Sequence, residues 1–265
     1  MTERAEDFQA EVLRAFAVLC AVRAEWARAD PVREDWGGAL MVSCGLGRGG
    51  ATLALAGNIA GAACMAIDAR AEVCRAALHS GACDFVVNSV DEALRILKNE
   101  IRQRRPVSVG LAMEPNAALN ELIDRGVRPE IFTAFGAEGD ASGAAADSIV
   151  ADALDRAARA FAAHRAMVVD FDGSLAALAG VMNASARLEG YTREYGLRLA
   201  SFEFADGSEL RAFDARLLQM IPATDARARW CAAAPRFFHR ERPHRRVVLL
   251  TGEEVERVGE LGLPV

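Results

Sequence analysis

None of the six cysteines (Cys20, Cys44, Cys64, Cys74, Cys83 and Cys231) stands in a Cys-x-x-Cys pair, which argues against a zinc knuckle or a redox dithiol. They read as reduced, small core residues, and no metal site is expected. Basic charge is not in excess: the formal net charge is −6, which argues against a general polyanion binder, so no nucleic-acid partner is expected. The opening MTERAEDFQA alternates charges and has no apolar signal core, so a cytoplasmic location is expected. There is no internal repeat, and no Tyr-x-x-x-Lys pair of the kind a hydride-transfer site needs. The uncharged run from Gly49 to Ile67 approaches the ~20 residues of a bilayer crossing. It contains Gly57, Asn58 and Gly61, however, and reads better as a buried helix followed by a buried strand, so no membrane partner is expected.

What is present is a globular composition, 52% hydrophobic and 26% charged, in a chain long enough for a sizeable core. Residues 5–28 place Phe8, Val12, Phe16, Leu19 and Cys20 near one face at helical spacing, which predicts an amphipathic opening helix. A regular alternation follows. Strands are predicted at 39–43, 62–67, 84–87, 107–111 and 130–134, with helices at 49–61, 69–80, 90–104 and 115–125. Ser89 and Glu92 form a capping box, and Gly126 suits a left-handed helix end. Short strands alternating with helices imply an α/β fold with a doubly wound, Rossmann-like parallel sheet, behind an N-terminal helix.

Beyond Gly136 the composition turns small and glycine-rich, and then an alanine-rich helix is predicted at about 147–168. The segment LRLASFEFADGSELRAF reads as a hairpin turning at Asp206-Gly207. The predicted organisation is therefore a Rossmann-type domain at 1–168, including the first helix, and a small α+β appendage at 169–265.

The segment VSCGLGRGGA (42–51) places a glycine loop directly after the first strand, where backbone N–H groups can meet a pyrophosphate at a helix N-terminus. Alone such a loop is weak evidence, and a tight strand-to-helix turn needs the same letters. It is followed in order by IDARAEVCRAALHSGACD, SVDEALRILKNEIRQRRPVSVGL and ELIDRGVRPEIFT. Together these motifs, over roughly residues 39–135, resemble the NAD-binding domain of the urocanase (urocanate hydratase) family, which runs through a Gly-Leu-Gly-Gly-Met-Gly-Gly loop, an Asp-Glu-Ala-Leu helix, a Leu-Ser-Ile-Gly-Leu strand and an Arg-Gly-Val-Arg-Pro-Asp turn.

The resemblance implies a Rossmann-like fold and an NAD site at Gly45, Leu46, Gly47, Arg48, Gly49 and Gly50, with Asp68 and Asn116 as further cofactor contacts. Asp68 stands two residues beyond the family's ribose-binding acid, whose aligned position is Ala66; it either substitutes for that acid or caps the next helix. Met113-Glu114-Pro115 replaces the family's Gly-Asn-Ala, with Asn116 displaced. Ala134-Phe135-Gly136 begins where the family has Asp-Gln-Thr, and Asp140 is the polar side chain left in that loop. In urocanase, bound NAD⁺ acts as an electrophile toward the substrate imidazole. The family's cysteine-bearing and substrate-binding segments have no counterpart outside the matched region, so urocanate hydration itself is not expected. What is expected is a small-molecule or nucleotide ligand, with lyase- or hydratase-type chemistry at most and no catalytic residue named. The alternative is a non-catalytic module binding a small molecule or a protein, with a homodimer or protein partner engaged through the appendage.

Other features have plainer readings beside their functional ones. Asp170 and Asp172 suit Mg²⁺ or a turn after a strand. His164 has no nucleophile beside it. Cys44 could be activated by the following helix N-terminus or simply be buried. Pro235 to Arg246 is the most basic segment, an anion-binding surface or a solvated loop before the strand VVLL.

Overall fold

The computed structural model describes residues 2–29, 35–135 and 144–260. Two compact units divide the chain, one formed by residues 33–185 and the other by residues 1–32 together with 186–265.

The 33–185 unit is the Rossmann-like layer. Its strands are β1 (Leu40–Cys44), β2 (Ala63–Asp68), β3 (Phe85–Val87), β4 (Val107–Ala112), β5 (Ile131–Ala134), β6 (Met167–Asp170) and β7 (Met182–Asn183). They lie in the order β3-β4-β2-β1-β5-β6-β7, every pair parallel. The crossovers carry α2 (Arg48–Ala60), α3 (Ala71–Ser80), α4 (Val90–Arg102), α5 (Pro115–Asp124) and α6 (Ala144–Ala163). Alternate residues send Leu40, Val42, Met65, Val109 and Phe132 into a core that α4, α5 and α6 close with Leu94, Leu97, Leu119, Leu122 and Phe161. On the opposite face α2 packs against β1, β2 and β4. That approach is close because Gly57 has no Cβ to strike Cys64 Sγ.

The five expected strands and the helices between them are all present, within one or two residues of their predicted ends. Ser89 accepts the Glu92 N–H as an N-cap, and Gly126 takes the left-handed conformation with φ +66°. The uncharged run is α2 followed by β2, and no helix among the described residues is long and apolar enough to cross a membrane. The sheet is larger than expected. The alanine-rich helix ends at Ala163 rather than 168, and Met167–Asp170 becomes β6, paired in parallel with β5.

The second unit contains α1 (Thr2–Ala29), α7 (Ala184–Glu194) from Ala186 onward, β8 (Arg198–Phe204), α8 (Gly207–Met220), α9 (Ala226–Phe238), β9 (His244–Leu250) and α10 (Gly252–Glu260). The expected boundary at 168/169 is thus displaced to 185/186. The first helix does not group with the sheet as expected: it packs on β9 and α9, Phe16 meeting Trp230 with ring centroids 5.6 Å apart. The expected hairpin is also corrected. Asp206 caps α8, accepting the Ser208 and Glu209 N–H groups, while Glu209 reaches back to the Ala205 N–H. β8 pairs antiparallel with β9 instead, and Phe202 and Phe204 both pack on Phe213 of α8, at 4.9 and 5.0 Å.

Candidate functional site

In an open parallel sheet, ligands meet the carboxyl ends of the strands where the chain reverses its direction of travel across the sheet. Here that point lies between β1 and β5, because β2 was added on one side of β1 and β5 on the other. The loop after β1 is Gly45-Leu46-Gly47, leading into α2.

Each loop residue is held by something specific. The Gly45 N–H donates to Ile67 O at 2.7 Å, and φ of +89° together with Phe135 O, 2.9 Å from where a Cβ would stand, restricts the position to glycine. The Leu46 N–H donates to Asp68 Oδ2 at 2.9 Å, and its buried side chain lies over Gly110 of β4. Gly47 is the N-cap of α2 and has no side chain to offer the first-turn amides; no acidic residue stands in that turn either. Arg48 is the first helical residue. Gly49 faces the Phe135 ring, whose Cδ1 lies 2.5 Å from an added Cβ, and Gly50 faces Gly45 O. The helix start is therefore a ring of backbone donors at the positive end of the α2 dipole, with neither a cap nor a counter-charge among these side chains.

Asp68, at the end of β2, is 4% exposed. Its Oδ1 accepts the Arg70 N–H and Arg70 Nε, both at 3.0 Å, and its Oδ2 accepts Leu46 N–H at 2.9 Å and Arg70 Nη2 at 3.0 Å. A carboxylate has about four lone-pair sites, and all four are engaged. Burial pushes this acid up, but the hydrogen bonds from the Arg70 side chain and from the Leu46 and Arg70 amides outweigh it and hold the carboxyl below its ordinary value. Of the two readings left open for Asp68, ribose ligand or helix cap, the geometry fits neither as written: it clamps the glycine loop to β2. Asn116 lies in the first turn of α5, where its N–H donates to Glu114 and its Oδ1 accepts from Asn120 and from Arg156 of α6, at 3.2 and 2.8 Å.

Cys44, Asp170, Asp172 and His164 fall to their plainer readings. Burial, then the charges of Glu114 and Asp68, push the Cys44 thiol far above its ordinary value. Asp170 accepts the Gly173 N–H and Asp172 the Ser174 N–H, so both shape a turn. His164 is exposed just beyond α6, and among the described residues no cluster suits a metal. The basic segment is not one solvated loop: it spans the end of α9 and the start of β9, and Arg246 is buried against Asp214 through bonds of 2.7 and 2.9 Å. Asp140 lies outside the described residues.

The model of the urocanase Rossmann-like domain matches residues 21–214. The chain belongs to the urocanase family. The match extends on both sides of the 39–135 stretch whose motifs carry the resemblance, reaching from α1 into α8.

Within that family frame, Phe135 and Arg70 were missed from the sequence. The Phe135 ring packs on Gly49 and lies 5.9 Å from Phe171. The two-residue spacing from Asp68 was the only available sign of Arg70. The phosphate portion of NAD fits the donor set at the start of α2. The ribose portion finds no open acceptor at Asp68.

Proposed function

We propose that this urocanase-family chain binds a phosphate-bearing small molecule, NAD or a related nucleotide, at residues 45–50. The observation that carries the reading is the N-terminus of α2: Gly47 as a side-chain-free cap, Arg48 beside it and no acid in the first turn, at the carboxyl end of β1. Leu46 and Asp68 hold the loop in place, and Arg48 can add a charge-assisted bond to an anion. NAD, when bound in this family, supplies the electrophile for lyase-type chemistry; this chain's own contribution is to orient the phosphates.

A second reading, a non-catalytic module built on a urocanase cofactor domain, is favoured by the saturated Asp68 carboxylate and by Ala134 and Phe135 standing where the family is polar. The test is native mass spectrometry of the purified protein followed by calorimetric titration with NAD⁺, ADP-ribose and AMP. Binding of at least one of them supports the first reading. No carried mass and no heat with any of the three leaves the second. Urocanate hydration is expected to be absent, and loss of urocanate ultraviolet absorbance with added NAD⁺ at the typical enzymic rate of about 1–10³ s⁻¹ would contradict that.

A further inference from the structure

At the end of its second strand a dinucleotide-binding sheet ordinarily presents an acid whose oxygens take the ribose hydroxyls of the ligand, while the phosphates rest on the first glycine loop. Asp68 ends β2 and lies close to that loop: its Oδ2 accepts the Leu46 N–H at 2.9 Å, one residue before the Gly47 cap of α2. What it lacks is capacity. Arg70 closes on it from two residues further along, with its N–H and Nε on Oδ1 and its Nη2 on Oδ2, each at 3.0 Å. Together with the Leu46 amide these donors fill the about four lone-pair sites of a carboxylate. The Asp68 side chain is 5% exposed and that of Arg70 29%, so the guanidinium is the group met from solvent.

A carboxylate in this state serves a hydroxyl in neither direction. Its hydrogen bonds hold it below its ordinary value, so at neutral pH it has no proton to donate, and every acceptor site is taken. The charge beside the loop changes as well. A bare carboxylate there would repel a phosphate, whereas the Asp68–Arg70 pair is neutral. At the end of β4, Asn116 Oδ1 is engaged too, accepting from Asn120 and Arg156 at 3.2 and 2.8 Å.

We propose that Arg70 is a specificity-determining residue: by occupying Asp68 it makes the pocket at residues 45–50 a phosphate-ester site that does not read the ribose diol. Ribose, deoxyribose and dideoxyribose ligands are then held alike, through the phosphate. This rests on the reading of residues 45–50 as a phosphate site and names the ligand class of that site. The acid needed to read hydroxyls is still in place, and the Arg70 side chain alone fills two of its acceptor positions.

The test is calorimetric titration of the full chain with AMP, 2′-deoxy-AMP and 2′,3′-dideoxy-AMP. The wild type is expected to bind all three within about threefold, because a strong preference requires a site that hydrogen-bonds the hydroxyl. Arg70→Met keeps an unbranched side chain without donors, and with two acceptor positions of Asp68 released it should bind AMP about tenfold or more tightly than the dideoxy analogue. Arg70→Lys, which returns a donor, should lie between the two. Loss of packing alone would weaken all three ligands equally and leave their ratio unmoved. A wild type that prefers AMP by about tenfold or more overturns the proposal, as does an unchanged ratio in Arg70→Met. A wild type that binds none of the three overturns the phosphate reading of residues 45–50, and this one with it. If circular dichroism shows Arg70→Met misfolded, Arg70→Ala takes its place in the same comparison.

Discussion

The Phe135 ring lies against Gly49, close enough that a Cβ on Gly49 would stand 2.5 Å from ring atom Cδ1. The glycine at the start of α2 is thus required by a neighbouring aromatic, independently of any ligand. Gly49→Ala should destabilise the protein by about 1–3 kcal/mol, the usual cost of overpacking. The same substitution made on Phe135→Ala should cost markedly less, and denaturant midpoints of the four proteins in the cycle measure that coupling. Equal costs in both backgrounds would mean that the ring is not what excludes a side chain.

Asp68 and Arg70 give a pH signature. The folded carboxyl is held below its ordinary value, so its contribution to stability is fully present above the unfolded value of about 3.9 and is lost as pH falls through the folded value. Wild type should exceed Asp68→Asn by a constant margin from neutral pH down to about 4, with the margin shrinking below that. Denaturation followed from pH 7 to pH 2 checks this. Arg70→Ala should move the loss of the margin to higher pH, because the largest opposing influence on the acid is gone.

Much of this was legible because it is local. Short continuous apolar runs between helical stretches, with the Ser89–Glu92 cap, specify the strands and helices of the sheet without long-range information. The failures share one cause, ambiguous short signals resolved by distant packing. Asp206-Gly207 is as good a hairpin turn as it is a helix cap, and only the helical spacing of Leu210, Phe213 and Leu217, all buried, separates the two. Met167–Asp170 extends an apolar helix on paper, and becomes a strand because β5 offers it an edge. The glycine loop itself was plain, whereas its packing partner Phe135 and the saturation of Asp68 by Arg70 depend on where strand ends meet.

Arg246 and Asp214 are a buried pair, their side chains 1% and 9% exposed. Removing one partner strands the other's charge in the interior, so Asp214→Ala should cost about 3–5 kcal/mol. Replacing both by a well-packed apolar pair such as Asp214→Leu with Arg246→Met should cost much less, for neither charge is then left alone. Thermal or denaturant unfolding of the single and double variants distinguishes a stranded charge from simple loss of packing, which would make the double variant the worse of the two.

The ligand reading makes its sharpest demand at Gly47. This residue has φ −62° and ψ −159°, a conformation in the ordinary extended region that a valine adopts without left-handed strain. Gly47→Val should therefore leave the unfolding midpoint nearly unchanged while placing two methyl groups beside the first-turn amides of α2. If a phosphate sits on those amides, the variant should lose NAD⁺, ADP-ribose and AMP together, because the shared phosphate contact is what the methyl groups obstruct. Arg48→Ala should weaken all three by a smaller factor, since the backbone donors and the helix dipole remain. Calorimetry on the three proteins, with far-ultraviolet circular dichroism to confirm the fold, gives the comparison. A ligand that the wild type binds and Gly47→Val binds equally well must lie elsewhere, and Gly45 to Gly50 would then be a turn whose glycines answer to Phe135 and to the loop's own backbone.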